Sequence, residues 1–550
     1  MTVTDAGGRT VRDATLDVLR KLGLTTVFSN PSHSEMKLFE NWLEGEFRFV
    51  MGLQEAAVVG MADGYAQATG EPALVIINGG PGLANAMGSV YTAASAKTPM
   101  VILGGQQARK MLLGEPFLVA KDATQLPKPY IKWAGEPARP QDVPAMIAQA
   151  YQIARQAPQG PVFVAVPEDD WVRPADPEPL RIARVERAVV PDPAALDLIA
   201  AALDGAERPG LIAGGPMDAQ GARADLIALA EKLNARVWGA PVWNRGAFPE
   251  DHPLFAGVLP PIPELINERL ADRHDVVVVL GGPAFTLFTA WDLFSTAPAD
   301  LDRSPRPALT ADVEFLHVTD DPQAAAATLA DRAFIAPPGA VVKGLVPLVR
   351  QRPRTELTPV REPVAVPEAS TPLTQAYLFH LLSRELPDDA VLFEELPIAR
   401  ADFHEQIPLG AGNGYFATAS GALGFPFAGA VGYALARPDR RAVVVVGEGS
   451  AQYTLHSLWT AARHNLPVTY VIPDNAGYLS LKYYLQDQKS WEAGYDLSGV
   501  DMAQIARGFG VRGERIDSPE GLRAALRDAL HADGPVLLDV VVDDPGLFRL

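Results

Sequence analysis

The stretch RAVVVVGEGSAQYTLHSLWTAARHNLPVTYVIPDNAGYLS, residues 441–480, decides the fold. Its apolar run 442–446 ends in a glycine turn, Gly447-Glu448-Gly449-Ser450, and a helical stretch follows. A second apolar run then ends at Asp474. Continuous rather than alternating apolar runs indicate strands that are covered on both faces, as in parallel α/β sheets. The stretch therefore predicts a strand–turn–helix–strand unit of a parallel sheet.

The same alternation of strands and helices extends outward from this unit in both directions. Further apolar runs lie at 25–29, 73–78, 99–105, 160–169, 209–215, 235–241, 274–282, 314–321 and 535–543. We expect an α/β protein with three doubly wound parallel-sheet domains. The predicted domains cover residues 1–180, 190–350 and 373–550, and the proline-rich segment 351–372 is predicted to be a linker.

The composition of the chain excludes or disfavours several classes of protein. The chain has 550 residues, 47 basic and 66 acidic, and a net charge of −19, which disfavours general binding to nucleic acid or to anionic membranes. No apolar run reaches the ~20 residues of a membrane span, and the N-terminus has no apolar signal-peptide core. Because there is no cysteine, disulfides, thiolate metal sites and thiol nucleophiles are excluded. We expect a cytoplasmic protein with no nucleic-acid partner and no membrane association.

Oxygen-bearing groups follow two of the predicted strands. Glu448 follows the first apolar run, and Asn475 and Gly477 follow the second. Ligands of open α/β sheets bind beyond the carboxyl ends of the strands, and glycines there allow a close approach of the backbone. A carboxylate, an amide oxygen and a backbone carbonyl are suitable ligands for Mg²⁺, which often also binds the phosphates of a ligand. The sequence therefore predicts a Mg²⁺ site held by Glu448, Asn475 and Gly477.

The residues around Glu448 and Asn475 resemble a motif of a known protein family. The stretch resembles the thiamin diphosphate motif, a Gly-Asp-Gly start followed after a similar gap by Asn-Asn; here Glu448 and Asp474 replace the first acid and the first asparagine. Other segments are similar to the thiamin diphosphate-dependent 2-oxo acid decarboxylases and carboligases, and within them to the benzoylformate decarboxylase group. Among them are VFSNPSHSE at 27–35, LQEAAVVGMADGYAQATGEPA at 53–73 and ALGFPFAGAVGYALARPDR at 422–440.

The resemblance implies specific roles for the domains and the residues. The three domains would be pyrimidine-binding, central and diphosphate-binding, in a homotetramer built as a dimer of dimers with active sites between subunits. Glu55 falls where the family keeps the acid that activates the cofactor, and Leu423 where a bulky residue supports its bent shape. The remaining expected cofactor-binding residues are Gly421, Gly447, Glu448, Gly449, Ser450, Ala451, Asn475 and Tyr478. In the loop Glu395-Leu396-Pro397-Ile398, the hydroxyls that the family uses are missing.

The substrate side differs from the decarboxylase pattern. The family's serine falls on His33, and its two histidines fall on Asn78 and Phe288. Asn78 can donate a hydrogen bond to a substrate oxygen but cannot relay a proton at neutral pH. His33 could restore proton transfer from another direction. Glu55, His33 and Asn78 are therefore the candidate catalytic residues, and Phe117, Leu118, Phe288 and Leu481 are the candidate lining of an apolar substrate pocket.

Three functions are compatible with these residues. The first is non-oxidative decarboxylation of an apolar, benzoylformate-like 2-oxo acid with thiamin diphosphate and Mg²⁺, and with carboligation of the resulting carbanion. The second is an acyloin lyase or synthase of the benzaldehyde lyase or acetolactate synthase type, acting on an aldehyde or 2-oxo acid. The third is a catalytically weak thiamin diphosphate-binding protein, which the departures at Glu448, Asp474 and Asn78 would suit.

Overall fold

The structure is a computed structural model that describes residues 8–43, 45–186, 189–241, 243–261, 263–282, 312–353, 364–484 and 494–543. Within these ranges it contains three six-stranded sheets in which all neighbouring strands run parallel. The sheets follow one another along the chain, and helices connect their strands. The expected α/β architecture with three doubly wound parallel sheets is therefore confirmed.

The first sheet has the strand order β2-β1-β3-β4-β6-β5. Its strands are β1 Thr26–Ser29, β2 Arg48–Met51, β3 Ala73–Asn78, β4 Met100–Gln106, β5 Trp133–Gly135 and β6 Pro161–Pro167. Its helices are α1 Val11–Leu22, α2 Met36–Phe39, α3 Glu55–Thr69, α4 Pro81–Ser95 and α5 Val143–Arg155. β3, β4 and β6 are buried along their whole length, as continuous apolar runs predict.

The central sheet has the order β12-β11-β10-β7-β8-β9. Its strands are β7 Pro209–Ala213, β8 Arg236–Gly239, β9 Phe255–Val258, β10 Val276–Leu280, β11 Glu314–Thr319 and β12 Arg332–Ile335. Its helices are α6 Pro193–Gly205, α7 Pro216–Ala219, α8 Arg223–Leu233, α9 Pro263–Leu270, α10 Pro322–Ala326 and α11 Pro338–Leu348.

The third sheet repeats the topology of the first, with the order β14-β13-β15-β16-β18-β17. Its strands are β13 Val391–Glu395, β14 Gly414–Ala417, β15 Ala442–Val446, β16 Val468–Asp474, β17 Arg512–Ile516 and β18 Val536–Val541. Its helices are α12 Gln375–Glu385, α13 Arg400–Gln406, α14 Phe425–Ala436, α15 Glu448–Ala451, α16 Ser457–Arg463, α17 Leu479–Tyr484, α18 Met502–Gly508 and α19 Pro519–Leu530. β15 has the bounds that the opening stretch predicts.

Each sheet has a point at which the order of its strands reverses, and such points hold the ligands of open α/β sheets. In the first sheet the reversal lies between β1 and β3, and in the third between β13 and β15. Asn78 is the last residue of β3, and Glu448 stands two residues beyond β15. The topology therefore places predicted functional residues of two domains at the edges where ligands bind.

The first and third domains share one hydrophobic core, and helices α3 and α14 form its centre. These helices approach so closely that a Cβ on Gly64 would stand 1.9 Å from the carbonyl oxygen of Gly429. A Cβ on Gly432 would stand 1.7 Å from the carbonyl oxygen of Met61. Any side chain at Gly64 or Gly432 would push the two domains apart, so the glycines fix the relative position of the domains.

Arg245 joins all three domains at one place. Its guanidinium forms an ion pair with Asp218 at 2.8 Å, and Nη1 donates a hydrogen bond to Gln67 of the first domain at 2.9 Å. Its Cζ also lies 4.8 Å from the ring centre of Phe416 in the third domain. The arginine side chain is 12% exposed, so these contacts are largely protected from water. Arg245 therefore stabilises the junction of the three domains.

We expect Arg245→Met to lower the free energy of unfolding by about 2 kcal/mol, because it removes the nearer of the two basic partners of the half-buried Asp218 and leaves only Arg223 at 4.0 Å. Urea unfolding followed by circular dichroism measures the change. Arg139→Met is the matched control, since Arg139 pairs with Asp142 and Asp176 at the surface, where such pairs contribute about 1 kcal/mol or less. Equal midpoints for the two variants would contradict the role given to Arg245.

No helix in the described ranges combines the length and the apolar character that crossing a bilayer requires.

Candidate cofactor and active site

The turn after β15 and the loop after β16 are in direct contact. Gly477 N donates to Oε1 of Glu448 at 2.7 Å, which joins the turn after β15 to the loop after β16. Glu448 is 1% exposed, and its burial together with the nearby Asp474 raises the pKa of its carboxyl to about 7. A cation bound beside this carboxylate would offset the cost of burying its charge.

A cavity of about 90 Å³ opens at this meeting point. Most of the expected cofactor-binding residues line it, namely Leu423, Gly447, Glu448, Gly449, Ser450, Asn475, Gly477 and Tyr478. Leu396, Pro397 and Ile398 form another part of the wall, so the loop that lacks hydroxyls does face the cavity. Ala451 is fully buried in α15, and Gly421 lies exposed in the loop before α14. The structure thus brings the predicted motif together in one place.

The donors around this cavity suit a hard cation and a diphosphate. A carboxylate, an amide and a backbone carbonyl come from Glu448, Asn475 and Gly477, and Mg²⁺ prefers oxygen ligands of these kinds. A Cβ on Gly447 would meet no atom within 4 Å, so the backbone there is open to a ligand. The residues present therefore fit Mg²⁺ and the diphosphate of a cofactor, although Leu396, Pro397 and Ile398 offer no hydroxyl.

Glu55 lies in the first domain, at the first residue of α3. Its Oε1 accepts a hydrogen bond from Asn30 Nδ2 at 3.1 Å, and its Oε2 accepts one from Asn85 Nδ2 at 3.2 Å. A Cβ on Gly82 would stand 3.4 Å from Oε1 of Glu55, so a larger residue at Gly82 would crowd the carboxylate. The amides of Asn30 and Asn85 thus hold the carboxylate of Glu55. The side of this carboxylate that faces Gly82 stays open, because glycine has no side chain.

Asn78 belongs to a buried chain of polar groups that also includes Ser34 and Glu35. Asn78 Nδ2 donates to Ser34 Oγ at 2.9 Å, and Ser34 Oγ donates to Oε1 of Glu35. Ser32 N donates to the other carboxylate oxygen of Glu35 at 2.7 Å. Glu35 is 2% exposed, and its burial raises the pKa of its carboxyl to about 7 against the opposing effect of these hydrogen bonds. This carboxyl can therefore gain and lose a proton near neutral pH.

Glu35 is not among the candidates taken from the sequence, although it stands inside the quoted segment VFSNPSHSE. The sequence pattern that could have indicated Glu35 is its spacing from Ser32, because a serine followed three residues later by glutamate is typical of a capping box. The structure shows that box at the short 3₁₀ turn His33–Glu35. The room for the carboxyl comes from Gly105, where a Cβ would stand 2.1 Å from Oε1 of Glu35. Nothing local in the sequence links Gly105 to Glu35.

Three other candidate residues of the substrate side, His33, Phe117 and Leu481, are exposed, and Leu118 is half-buried. The His33 side chain is 77% exposed, and its Nδ1 lies 3.2 Å from Glu168 Oε2. Phe117 is 89% exposed, Leu118 has a left-handed backbone with φ 66°, and Leu481 is 38% exposed. Phe288 lies outside the described residues. Among the described residues, His33, Phe117 and Leu481 thus lie open to solvent in one chain, and the substrate pocket stays a prediction.

Two domains of the same sheet topology, each with polar groups where its strand order reverses, are typical of α/β proteins that bind a cofactor. Family models identify the cofactor. The models for the N-terminal TPP binding domain, the central domain and the C-terminal TPP binding domain of thiamine pyrophosphate enzymes match residues 9–126, 196–345 and 402–540. The chain belongs to the thiamine pyrophosphate enzyme family.

Individual relatives agree with this membership. The chain is 37% identical to benzoylformate decarboxylase from Pseudomonas aeruginosa PAO1, over 97% of this chain and 98% of that protein. Its structure is similar to that of benzoylformate decarboxylase from Polynucleobacter necessarius, with a TM-score of 0.91, 34% identity, and coverage of 98% and 99%. A 4-hydroxybenzoylformate decarboxylase from Rhodococcus jostii RHA1 gives a TM-score of 0.91 and 36% identity, with coverage of 97% and 99%. The resemblance inferred from the sequence is confirmed.

Proposed function

We propose that the protein catalyses the non-oxidative decarboxylation of an apolar 2-oxo acid of the benzoylformate kind, with carboligation as a second outcome. The observation that carries this proposal is the 37% identity to a benzoylformate decarboxylase over 97% of the chain. The proposed cofactors are thiamin diphosphate and Mg²⁺. When bound, thiamin diphosphate supplies the carbon nucleophile that adds to the keto group and takes up the electrons left as CO₂ departs.

The proposed cofactor site is the cavity between the ends of β15 and β16. Glu448, Asn475 and Gly477 would hold Mg²⁺ through oxygen atoms, and Gly447, Gly449 and Ser450 would surround the diphosphate. Leu423 and Tyr478 line the same cavity, where Leu423 would support the bent shape of the cofactor and Tyr478 would lie near the diphosphate. Because Leu396, Pro397 and Ile398 carry no hydroxyl, the diphosphate in this protein would depend more on the metal and on backbone amides.

Glu55 is the proposed acid that exchanges a proton with the cofactor's pyrimidine. The amides of Asn30 and Asn85 fix its two oxygens, so the carboxyl is oriented before the cofactor arrives. An oriented carboxyl is suited to general acid–base work, since it does not have to be ordered in each turnover.

The active site is proposed to be completed by a second copy of the chain in a homotetramer. At about 90 Å³ the cavity of one chain is smaller than the ~300 Å³ of the smallest typical ligand pockets, so one chain supplies only part of the walls. The first domain also exposes apolar side chains that a partner could cover, with Leu113 99% and Phe117 89% exposed. In such an assembly Phe117 and Leu118 would face the substrate from the partner subunit.

Protonation of the product is proposed to depend on Glu35. Its carboxyl titrates near neutral pH, and Ser34 connects it to Asn78. Asn78 cannot relay a proton itself, but it can fix the hydroxyl of Ser34 and bind a substrate oxygen. His33 is exposed beside Glu168 and would bring a second proton donor to the same edge once a partner covers it.

The proposed location of the protein is the cytoplasm.

Turnover of benzoylformate, pyruvate and a longer aliphatic 2-oxo acid, with thiamin diphosphate and Mg²⁺, tests this proposal. We expect CO₂ and free aldehyde from benzoylformate, and some 2-hydroxyketone when benzaldehyde is added. Release of CO₂ with hydroxyketone alone would identify a carboligase. Cleavage of an added acyloin without CO₂ from any of the acids would identify an acyloin lyase and contradict the proposal.

A further inference from the structure

Asp474 occupies the last position of β16, directly before the proposed metal ligand Asn475. Its side chain is nearly buried, and Oδ1 accepts a hydrogen bond from Ala476 N at 2.9 Å. Its Oδ2 accepts a hydrogen bond from Arg515 Nη1 at 3.0 Å. Pro473 and Asn475 line the cofactor cavity, whereas the carboxylate between them is used by the loop and by Arg515.

Arg515 reaches Asp474 across an intervening strand. It lies on β17, opposite Asp539 of β18, and β18 separates β17 from β16. Its Nη1 contacts Asp539 Oδ2 as well as Asp474 Oδ2, so one guanidinium serves two buried carboxylates. Asp539 is fully buried and also accepts a hydrogen bond from Met502 N at 3.1 Å. Asp474 and Asp539 thus share one cation, the guanidinium of Arg515, beside the loop that carries the proposed metal ligands.

A continuous set of contacts leads from this cation to the metal site. Asp474 fixes Ala476 N, and the backbone at Ala476 is left-handed with φ 59°. The next amide, Gly477 N, donates to Oε1 of Glu448 at 2.7 Å. A non-glycine residue rarely adopts this conformation, so the bond from Asp474 helps to hold the turn. The position of Gly477 against Glu448 therefore depends on Asp474 being held in place.

The negative charges around the site give a second reason why Arg515 is needed beside Asp474. Glu448 and Asp474 are two nearby buried acids at a site that must also accept an anionic diphosphate. Without a cation beside it, Asp474 would repel the diphosphate and could turn toward a bound metal ion. Arg515 reduces both problems, because its charge, which Asp539 shares, offsets part of the charge of Asp474. In the family motif an asparagine without charge stands at this position, so the pair of Asp474 and Arg515 answers that departure.

We propose that Arg515 is a positioning residue of the metal loop, which holds Asp474 and offsets its charge, and so keeps Asn475 and Gly477 in place for Mg²⁺ and the diphosphate. This inference rests on the proposed cofactor site and deepens it. Residues that support metal ligands from outside typically change metal affinity by about 10- to 100-fold when they are removed.

Isothermal titration of thiamin diphosphate into the full-length protein, at one fixed Mg²⁺ concentration below saturation of the wild-type protein, measures the effect. We expect Arg515→Met to weaken binding about tenfold, and Arg515→Lys to retain most of the affinity because it keeps the charge. Asp474→Asn should restore most of the affinity in the Arg515→Met background, because it removes the unpaired charge at this position and keeps an oxygen that can accept from Ala476 N. Arg512→Met is the matched control, since Arg512 lies on the same strand and pairs with the exposed Asp528 at 2.6 Å.

The rescue separates positioning from a general loss of structure. A purely structural role of Arg515 would leave the double variant as weak as Arg515→Met, and that result would overturn the inference. Wild-type affinity in Arg515→Met would overturn it as well. A wild-type protein that binds no thiamin diphosphate would instead overturn the proposed function, so the two failures are distinguishable.

Discussion

Replacing Glu55 by glutamine should lower turnover by about 10²- to 10⁴-fold, the range that general acid–base catalysis contributes. An amide of nearly the same shape can keep a hydrogen bond from Asn30 or Asn85, but it cannot gain or lose a proton. The loss should therefore fall on kcat, while thiamin diphosphate binding measured by titration changes much less. Steady-state CO₂ release, together with hydrogen–deuterium exchange at C2 of the bound cofactor, measures the effect.

The matched control for this variant is Glu46→Gln. Glu46 lies in the same domain, 54% exposed, and pairs with Arg20 at 2.6 Å, away from the residues assigned here to the site. It should retain wild-type turnover and exchange. Near wild-type turnover in Glu55→Gln would contradict the assignment of Glu55, whereas a slow exchange with intact binding would support it.

The buried parts of the fold could be predicted because their sequence signals are local. Continuous apolar runs mark β3, β15 and β16, which are buried from end to end. The edge strands β5, β12 and β17 give no such signal, because they are short or partly exposed and mix polar with apolar residues. Their place in a sheet depends on neighbours distant in sequence, such as Val162 of β6, which pairs with Trp133 of β5.

The residues of the candidate site likewise divide into those that could be predicted from the sequence and those that could not. Gly447 to Ser450 and Asn475 to Tyr478 could be found from the sequence, since each group directly follows a predicted strand. Glu35 and Arg515 could not, because their importance arises from contacts with Gly105 and Asp474, which are distant in the chain. A buried glutamate in a turn resembles an ordinary capping residue until its burial is known. The roles of the site residues stay predictions that the proposed variants can test, and the domain boundaries stay predictions as well.

Replacing Glu35 by glutamine should lower aldehyde release by about 10²-fold and remove its dependence on pH near neutrality. Burial raises the pKa of Glu35 from 4.5 to about 7, so the wild-type carboxyl is protonated below about pH 7 and loses its proton above it. If the protonated form supplies the product's proton, wild-type aldehyde release falls above about pH 7 and the share of hydroxyketone rises. Glutamine cannot donate in this way, so the variant should favour ligation at every pH.

The same pKa predicts a change in stability. A folded-state pKa above the unfolded value means that the stabilising contribution of the protonated group is complete below about pH 4.5. That contribution is lost as the pH rises through about 7, because the buried carboxylate must then carry a charge. The stability of wild type should therefore decline relative to that of Glu35→Gln over this interval.

Product ratios and melting temperatures between pH 5 and 9 measure both effects of Glu35→Gln. Glu40→Gln is the control, since Glu40 is exposed nearby, where it pairs with Lys37 at 3.2 Å. This control should follow the wild-type pH profile in both measurements. A variant at Glu35 that keeps the wild-type limb above pH 7 would show that another group, with His33 the first to examine, supplies the proton. A change in stability without a change in product ratio would leave Glu35 as a structural carboxyl and refute its proposed part in protonation.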